Sequence, residues 1–185
     1  MNRPCQSDAI CSLLSCMLQR DTLHALTFRD PWGSLVASGA KRIETRTWGT
    51  SYQGPLAIHI AKGLPSEAED LCALEPFRQA LIAAGFTRSD ERRHNAWGLP
   101  LGRIAAVAWL ETVERIGPGF PVEEPERSFG NYRPGRFAWR FSTIYRLASP
   151  LPARGSLGVW EWQPPASFWS EVQAAYDRVR EEARR

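Results

Sequence analysis

Strand-like alternation recurs along this chain in short segments separated by single helices, never in the strand–helix–strand rhythm of a parallel sheet. That restricts the fold, because each parallel pair needs a crossover of a dozen or more residues, usually helical. Residues 23–29 alternate first, with Leu23, Ala25 and Thr27 against His24, Leu26 and Phe28. Asp30-Pro31 then opens a helix, with Asp30 suited to the cap and Pro31 to a first turn where its missing N–H costs nothing. Gly39 stops that helix as a residue able to turn left-handed. Further strands are expected at 42–48 and 56–61, with a turn at 51–55 between them. Residues 66–84 read as helix broken at Pro76 and ended by Gly85. Strands follow at 101–113 and 136–147, around a proline- and glycine-rich loop at 116–135 that reads as mobile or ligand-contacting. Residues 157–162 make a last short strand and 166–184 a charged amphipathic helix. The order predicts an α+β fold, a small mixed/antiparallel β-barrel with flanking helices.

A length of 185 residues suits one domain with trimmings. The expected division is an extension at 1–22, the domain at 23–163 and a terminal helix at 164–185. The net charge of +3 is too small to track a long run of phosphates, so any nucleic-acid site should be a compact pocket. Eight tryptophans supply flat rings for packing and for stacking on bases. The four cysteines form no Cys-x-x-Cys pair and no cluster with histidine, so neither a metal nor a cofactor is expected. The apolar run 9–18 falls short of the ~18 residues of a membrane span. Its basic flank is too weak for a leader, and it reads as a packed N-terminal helix. The expectation is a cytoplasmic monomer with free thiols and no membrane partner.

The densest chemistry lies at Gly39-Ala40-Lys41-Arg42-Ile43-Glu44-Thr45-Arg46. A helix end feeds a strand whose alternate positions put Glu44 and Arg46 on one face, with Lys41 at the corner. A cation, a carboxylate and an arginine fork held together make a compact polar site. A salt-bridge ladder on an exposed strand fits the same spacing. A carboxylate beside an ammonium should favour its ionised form, leaving Glu44 the better general base and Lys41 an electrostatic stabiliser.

The pattern Gly39-x-Lys41-x-x-Glu44-x-Arg46 resembles the GxKxxExR signature of the ASCH (activating-signal-cointegrator homology) family. Its setting is similar too: Leu26-Thr27-Phe28-Arg29-Asp30-Pro31-Trp32 precedes it, and Tyr52-x-Gly54-Pro55-Leu56-x-Ile58-His59 with Lys62-Gly63 follows. Residues 129–139 and 154–160 resemble the C-terminal half of short stand-alone members, of the bacterial or phage type. The resemblance covers about residues 24–162 and implies a PUA-like barrel with a cleft beside the helix that precedes the motif. It implies RNA or DNA as partner. One branch of the family removes the acetyl group of 4-acetylcytidine, and another member resembles a ribonuclease. The amidohydrolase branch has a threonine where this chain has Glu44, and a separate glutamate in a later loop, for which Glu123, Glu124 and Glu126 are candidates.

The expected function is therefore an RNA- or modified-nucleoside-binding domain, with an amidohydrolase acting on 4-acetylcytidine or a metal-independent ribonuclease as alternatives. Lys41 and Glu44 are the candidate catalytic pair. Arg46, Trp32, His59, Lys62, Tyr132 and Arg136 are the candidate ligand contacts. His59, between Ile58 and Ile60, fits a hydrogen-bonded barrel position as readily. Arg136 and Trp139 differ by three, so at most one of them faces the cleft.

Overall fold

The computed structural model describes residues 6–89 and 94–182. Helix α1 (Gln6–Leu18) leads to strand β1 (Leu23–Phe28), helix α2 (Trp32–Ser38) and strands β2 (Ile43–Arg46) and β3 (Gly54–Ile60). Helices α3 (Ser66–Leu71) and α4 (Phe77–Ala83) follow, then β4 (Arg103–Arg115), a 3-10 turn at Glu126–Phe129, β5 (Phe137–Pro152), β6 (Val159–Trp162) and α5 (Ala166–Glu182). The strands make one six-stranded mixed sheet in the order β2-β5-β4-β3-β1-β6. All ladders are antiparallel except β1 with β3, where Leu26 pairs with Ile58. The ladder ends at β2 and β6, which share no pairing, so hydrogen bonds do not close this sheet into a barrel.

Alternation explains the layering. Leu23 and Ala25 of β1, Ala57 of β3 and Val107 of β4 meet α1 and α5 on one face, through Leu13, Leu14, Met17, Phe168 and Val172. Leu26, Phe28, Leu56, Ile58 and Ile60 meet α2 and Trp139 on the other. β3 is therefore buried along its whole length, and its sequence reads accordingly as a near-continuous apolar run. The apolar run near the N-terminus is thus a packed helix.

Two local readings differ from the sequence expectation. The loop 116–135 is anchored and not loose: Ile116, Val122 and Phe129 are all buried. β5 runs past Ser149-Pro150 to Pro152 because Ile104 pairs with Leu151 while Ala106 pairs with Arg146. Residues 147–150 leave the register there, which is how a strand accommodates proline. Between α3 and α4, Pro76 divides the helical stretch as expected.

Pro31, and not the expected Asp30, holds the N-cap place of α2, one residue before Trp32. Asp30 serves the helix from one residue further back. It is fully buried, and its carboxylate accepts from the Ser34 N–H at 2.7 Å and the Ser34 hydroxyl at 2.9 Å. Burial raises its pKa from 3.8 to about 6 in spite of those two donors. A carboxyl whose folded value exceeds its unfolded one stabilises the fold fully below about pH 3.8, and that contribution drains away as pH rises through about 6. The difference is worth about 3 kcal/mol at 1.36 kcal/mol per pKa unit. Asp30→Asn should flatten urea stability between pH 4 and 7.5 by about that amount relative to the parent. Parallel pH profiles for the two proteins would rule this out.

Candidate functional site: a cleft beside the helix–strand corner

The corner that joins α2 to β2 sets the site. Gly39 takes φ +83° at the end of α2, with its N–H donating to Val36 O, so the chain reverses sharply. The Lys41 N–H then donates to Leu35 O at 3.0 Å, which folds the lysine back under the helix end. Its side chain is fully buried. The ammonium donates to Ile43 O, lies 3.4 Å from Glu126 Oε1, and is 4.0 Å from Glu44 Oε2. Glu126 also accepts from the Arg42 N–H at 2.6 Å, the Ile43 N–H at 3.2 Å and the Tyr132 hydroxyl at 3.0 Å. This one carboxylate thus fastens the 116–135 loop to the start of β2. Of the other two loop glutamates, Glu124 accepts from Ser128 within its own turn, and Glu123 is exposed.

Beyond Lys41, β2 turns Glu44 and Arg46 into a concavity of about 730 Å³, within the range of small-ligand sites. Trp32, Trp48, Phe77 and Phe129 give it aromatic walls, and Arg136 joins the two β2 side chains. Arg46 Nη2 donates to Thr27 O at 2.7 Å, and its guanidinium lies over the rings of Phe28 at 5.2 Å and Trp48 at 5.7 Å. Its Nε is 3.4 Å from Glu44 Oε1 but not in hydrogen-bond geometry. Arg136 Nη2 donates to Thr45 O at 2.9 Å. The Nε donors of Arg46 and Arg136 are both buried and meet no acceptor among the described residues. An unmatched buried donor costs on the order of 1–3 kcal/mol.

Burial pushes the Glu44 carboxyl above its ordinary value of 4.5, although Lys41, Arg46, the Thr45 N–H and Arg136 all pull it down. The sequence expectation weighed only the neighbouring cation, and here desolvation outweighs it. Burial likewise lowers Arg46, with Glu44 opposing. Glu44 is the single carboxylate among the cleft-lining residues described. One carboxylate between two guanidinium groups offers a divalent ion neither the oxygen count nor the charge it needs.

The chain's ASCH-domain match spans residues 26–118. This protein belongs to the ASCH family. The matched span of this ASCH domain carries β1, α2, β2 and β3 with Trp32, Lys41, Glu44 and Arg46, whereas Glu126, Tyr132 and Arg136 lie beyond it. No curated protein matches the chain.

The residues singled out from the sequence fall into three places. Trp32, Glu44, Arg46 and Arg136 line the cleft. Lys41 lies behind β2 and lines no concavity, and Tyr132 lies on the far side of β2, stacked 5.9 Å from Phe120. Trp139, the cross-strand partner of Glu44, is fully buried in the core, while Arg136, which precedes β5, lines the cleft. His59 and Lys62 border a neighbouring hollow. His59 Nε2 donates to Ala153 O at 3.1 Å, and Nδ1 lies 3.2 Å from Thr27 Oγ1. Burial lowers its pKa, favouring the neutral ring. Phe129 also lines the cleft, an aromatic from the segment 129–139 expected there, and Asn131 beside it carried no signal of its own.

Proposed function

We propose that this ASCH domain takes one base of single-stranded RNA, or a modified nucleoside, into the cleft. The observation that carries the reading is the donor and acceptor set on the floor: one carboxylate with two guanidinium groups whose Nε donors are unmatched, between aromatic walls. Cytosine suits that set. Its exocyclic amine would donate to Glu44, and its ring carbonyl and N3 would accept from Arg46 or Arg136. Trp32 or Trp48 would stack on the base, a contact worth about 1–3 kcal/mol per base. In the same reading the sheet is the barrel of the PUA-like fold, with β2 and β6 at its seam.

A second reading, hydrolysis of the acetyl amide of 4-acetylcytidine, draws support from the upward displacement of Glu44, since a general base works best with a pKa near the operating pH. The burial of Lys41 counts against any mechanism in which that amine touches substrate, the ribonuclease included. Incubation of the protein with 4-acetylcytidine and with single-stranded RNA, without added metal, tests both. Calorimetry should show saturable binding of cytidine, and mass spectrometry should show the RNA intact. Accumulation of cytidine from 4-acetylcytidine would establish the second reading. Absence of cytidine binding together with absence of turnover would refute both.

A further inference from the structure

A second hollow adjoins the cleft, and the two share Thr27, Ala61, Ser156 and Leu157. The ridge between them is the turn 153–158, which joins β5 to β6, and Leu157 at its tip is 96% exposed. That turn is held firmly. Ala153 O accepts from His59, Ser156 O accepts from the Thr27 hydroxyl at 2.9 Å, and Trp160 Nε1 donates to Thr27 Oγ1 at 3.2 Å. Gly155 sits so close to the His59 ring that an added Cβ would lie 2.4 Å from Cε1. Among the described residues nothing covers that leucine, which stands open to a ligand in either hollow.

Charge identifies the occupant. The second hollow is bordered by Lys62 and Arg154, both exposed, and by no carboxylate. Neither cation makes an ion pair among the described residues. The cleft offers an acceptor and aromatic walls for a base, whereas the hollow offers positive charge over a mainly apolar surface, which suits phosphate and sugar.

We infer that the second hollow is the subsite for the nucleotide next to the one in the cleft, so that the ligand is a single polynucleotide strand and not a free nucleoside. The inference rests on the cleft being a base site, as proposed above. Lys62 and Arg154 contact the phosphate that crosses the ridge, and Leu157 stands between two successive bases as an apolar wedge. His59 is a positioning residue that seats the ridge.

Cytidine, single-stranded tetracytidylate and a blunt duplex of the same length are the ligands for the test. Tetracytidylate should bind at least about tenfold tighter than cytidine, with a log–log salt slope of about −0.7 for the one phosphate that Lys62 and Arg154 neutralise. The Lys62→Ala/Arg154→Ala protein should lose that gain and most of the slope while binding cytidine within twofold of the parent. Leu157→Ser should weaken tetracytidylate several-fold more than it weakens cytidine, since the side chain also borders the cleft. The duplex should not compete. Equal affinity for cytidine and tetracytidylate, an undiminished gain in the double variant, or competition by the duplex would overturn the strand reading while intact cytidine binding kept the cleft reading. Failure of both ligands to bind would overturn both.

Discussion

Lys41→Ala should lower the unfolding free energy by about 3–5 kcal/mol, because it removes a fully buried cation and strands two partly buried carboxylates. The ammonium touches Glu126, Ile43 O and Glu44 from a fully buried position. In the bulk of a protein such a lysine is seldom tolerated unless paired. Here it is paired twice, and one of its partners also receives the Arg42 and Ile43 N–H groups. The loss should be seen in urea as a lower midpoint with an unchanged m-value. Adding Glu126→Gln should restore part of it, since the stranded charge is then gone. A loss below about 1 kcal/mol, the size of an exposed ion pair, would show that the lysine is not a fixture of the fold.

Glu44→Gln should have the opposite profile. Cytidine affinity should fall by at least tenfold, since a hydrogen bond to a charged group is worth about 1.5–3 kcal/mol and Gln presents an amide where the carboxylate accepted. Stability at pH 7 should not fall with it. Glu44 has a folded pKa above its unfolded one, so its contribution to stability is full below about 4.5 and is lost as pH rises through the folded value. Once ionised, the carboxylate is a burden on the fold that the proposed binding reading requires. The parent should also lose cytidine on acidification, beginning above pH 4.5, because the protonated carboxyl no longer accepts from the amine. The Gln variant should show no such midpoint. Calorimetry across pH 4–7.5 with both proteins decides the matter, and full binding by the Gln variant would remove Glu44 from the site.

The opposed outcomes for Lys41 and Glu44 also mark how far the sequence could be read. Strand parity separates Glu44 and Arg46 from Ile43 and Thr45, because a period of two leaves no choice once β2 is placed. Arg136 lies just before β5 and reaches the cleft outside that rule. Lys41 escapes that logic. It lies on the corner before β2, where its direction follows from the Leu35 bond and the left-handed Gly39, so the sequence grouped it with Glu44 on one wall. Glu126 was one of three equal candidates because its choice depends on how a long loop closes across the start of β2, and no local periodicity encodes that. The turn 153–158 was marked only by the resemblance of residues 154–160; its contacts to β1 and β3 hold it, and no local periodicity encodes them. The extent of β5 was missed for a simpler reason: Pro150 and Pro152 signal an end, and only the register shift opposite Ile104 and Ala106 lets the strand resume.

The burial of Lys41 has a practical corollary. The chain contains 23 lysines and arginines, and only Lys41 and Lys62 among them are lysines. With the first sealed inside and the second on the surface, an amine-selective acylating reagent has one side-chain target in the folded protein. A fluorophore or cross-linker placed that way lands beside the ridge at Leu157, without any cysteine having to be engineered. Reaction at Lys41 then reports unfolding, so a single mass spectrum distinguishes chains that have kept their native shape from those that have lost it.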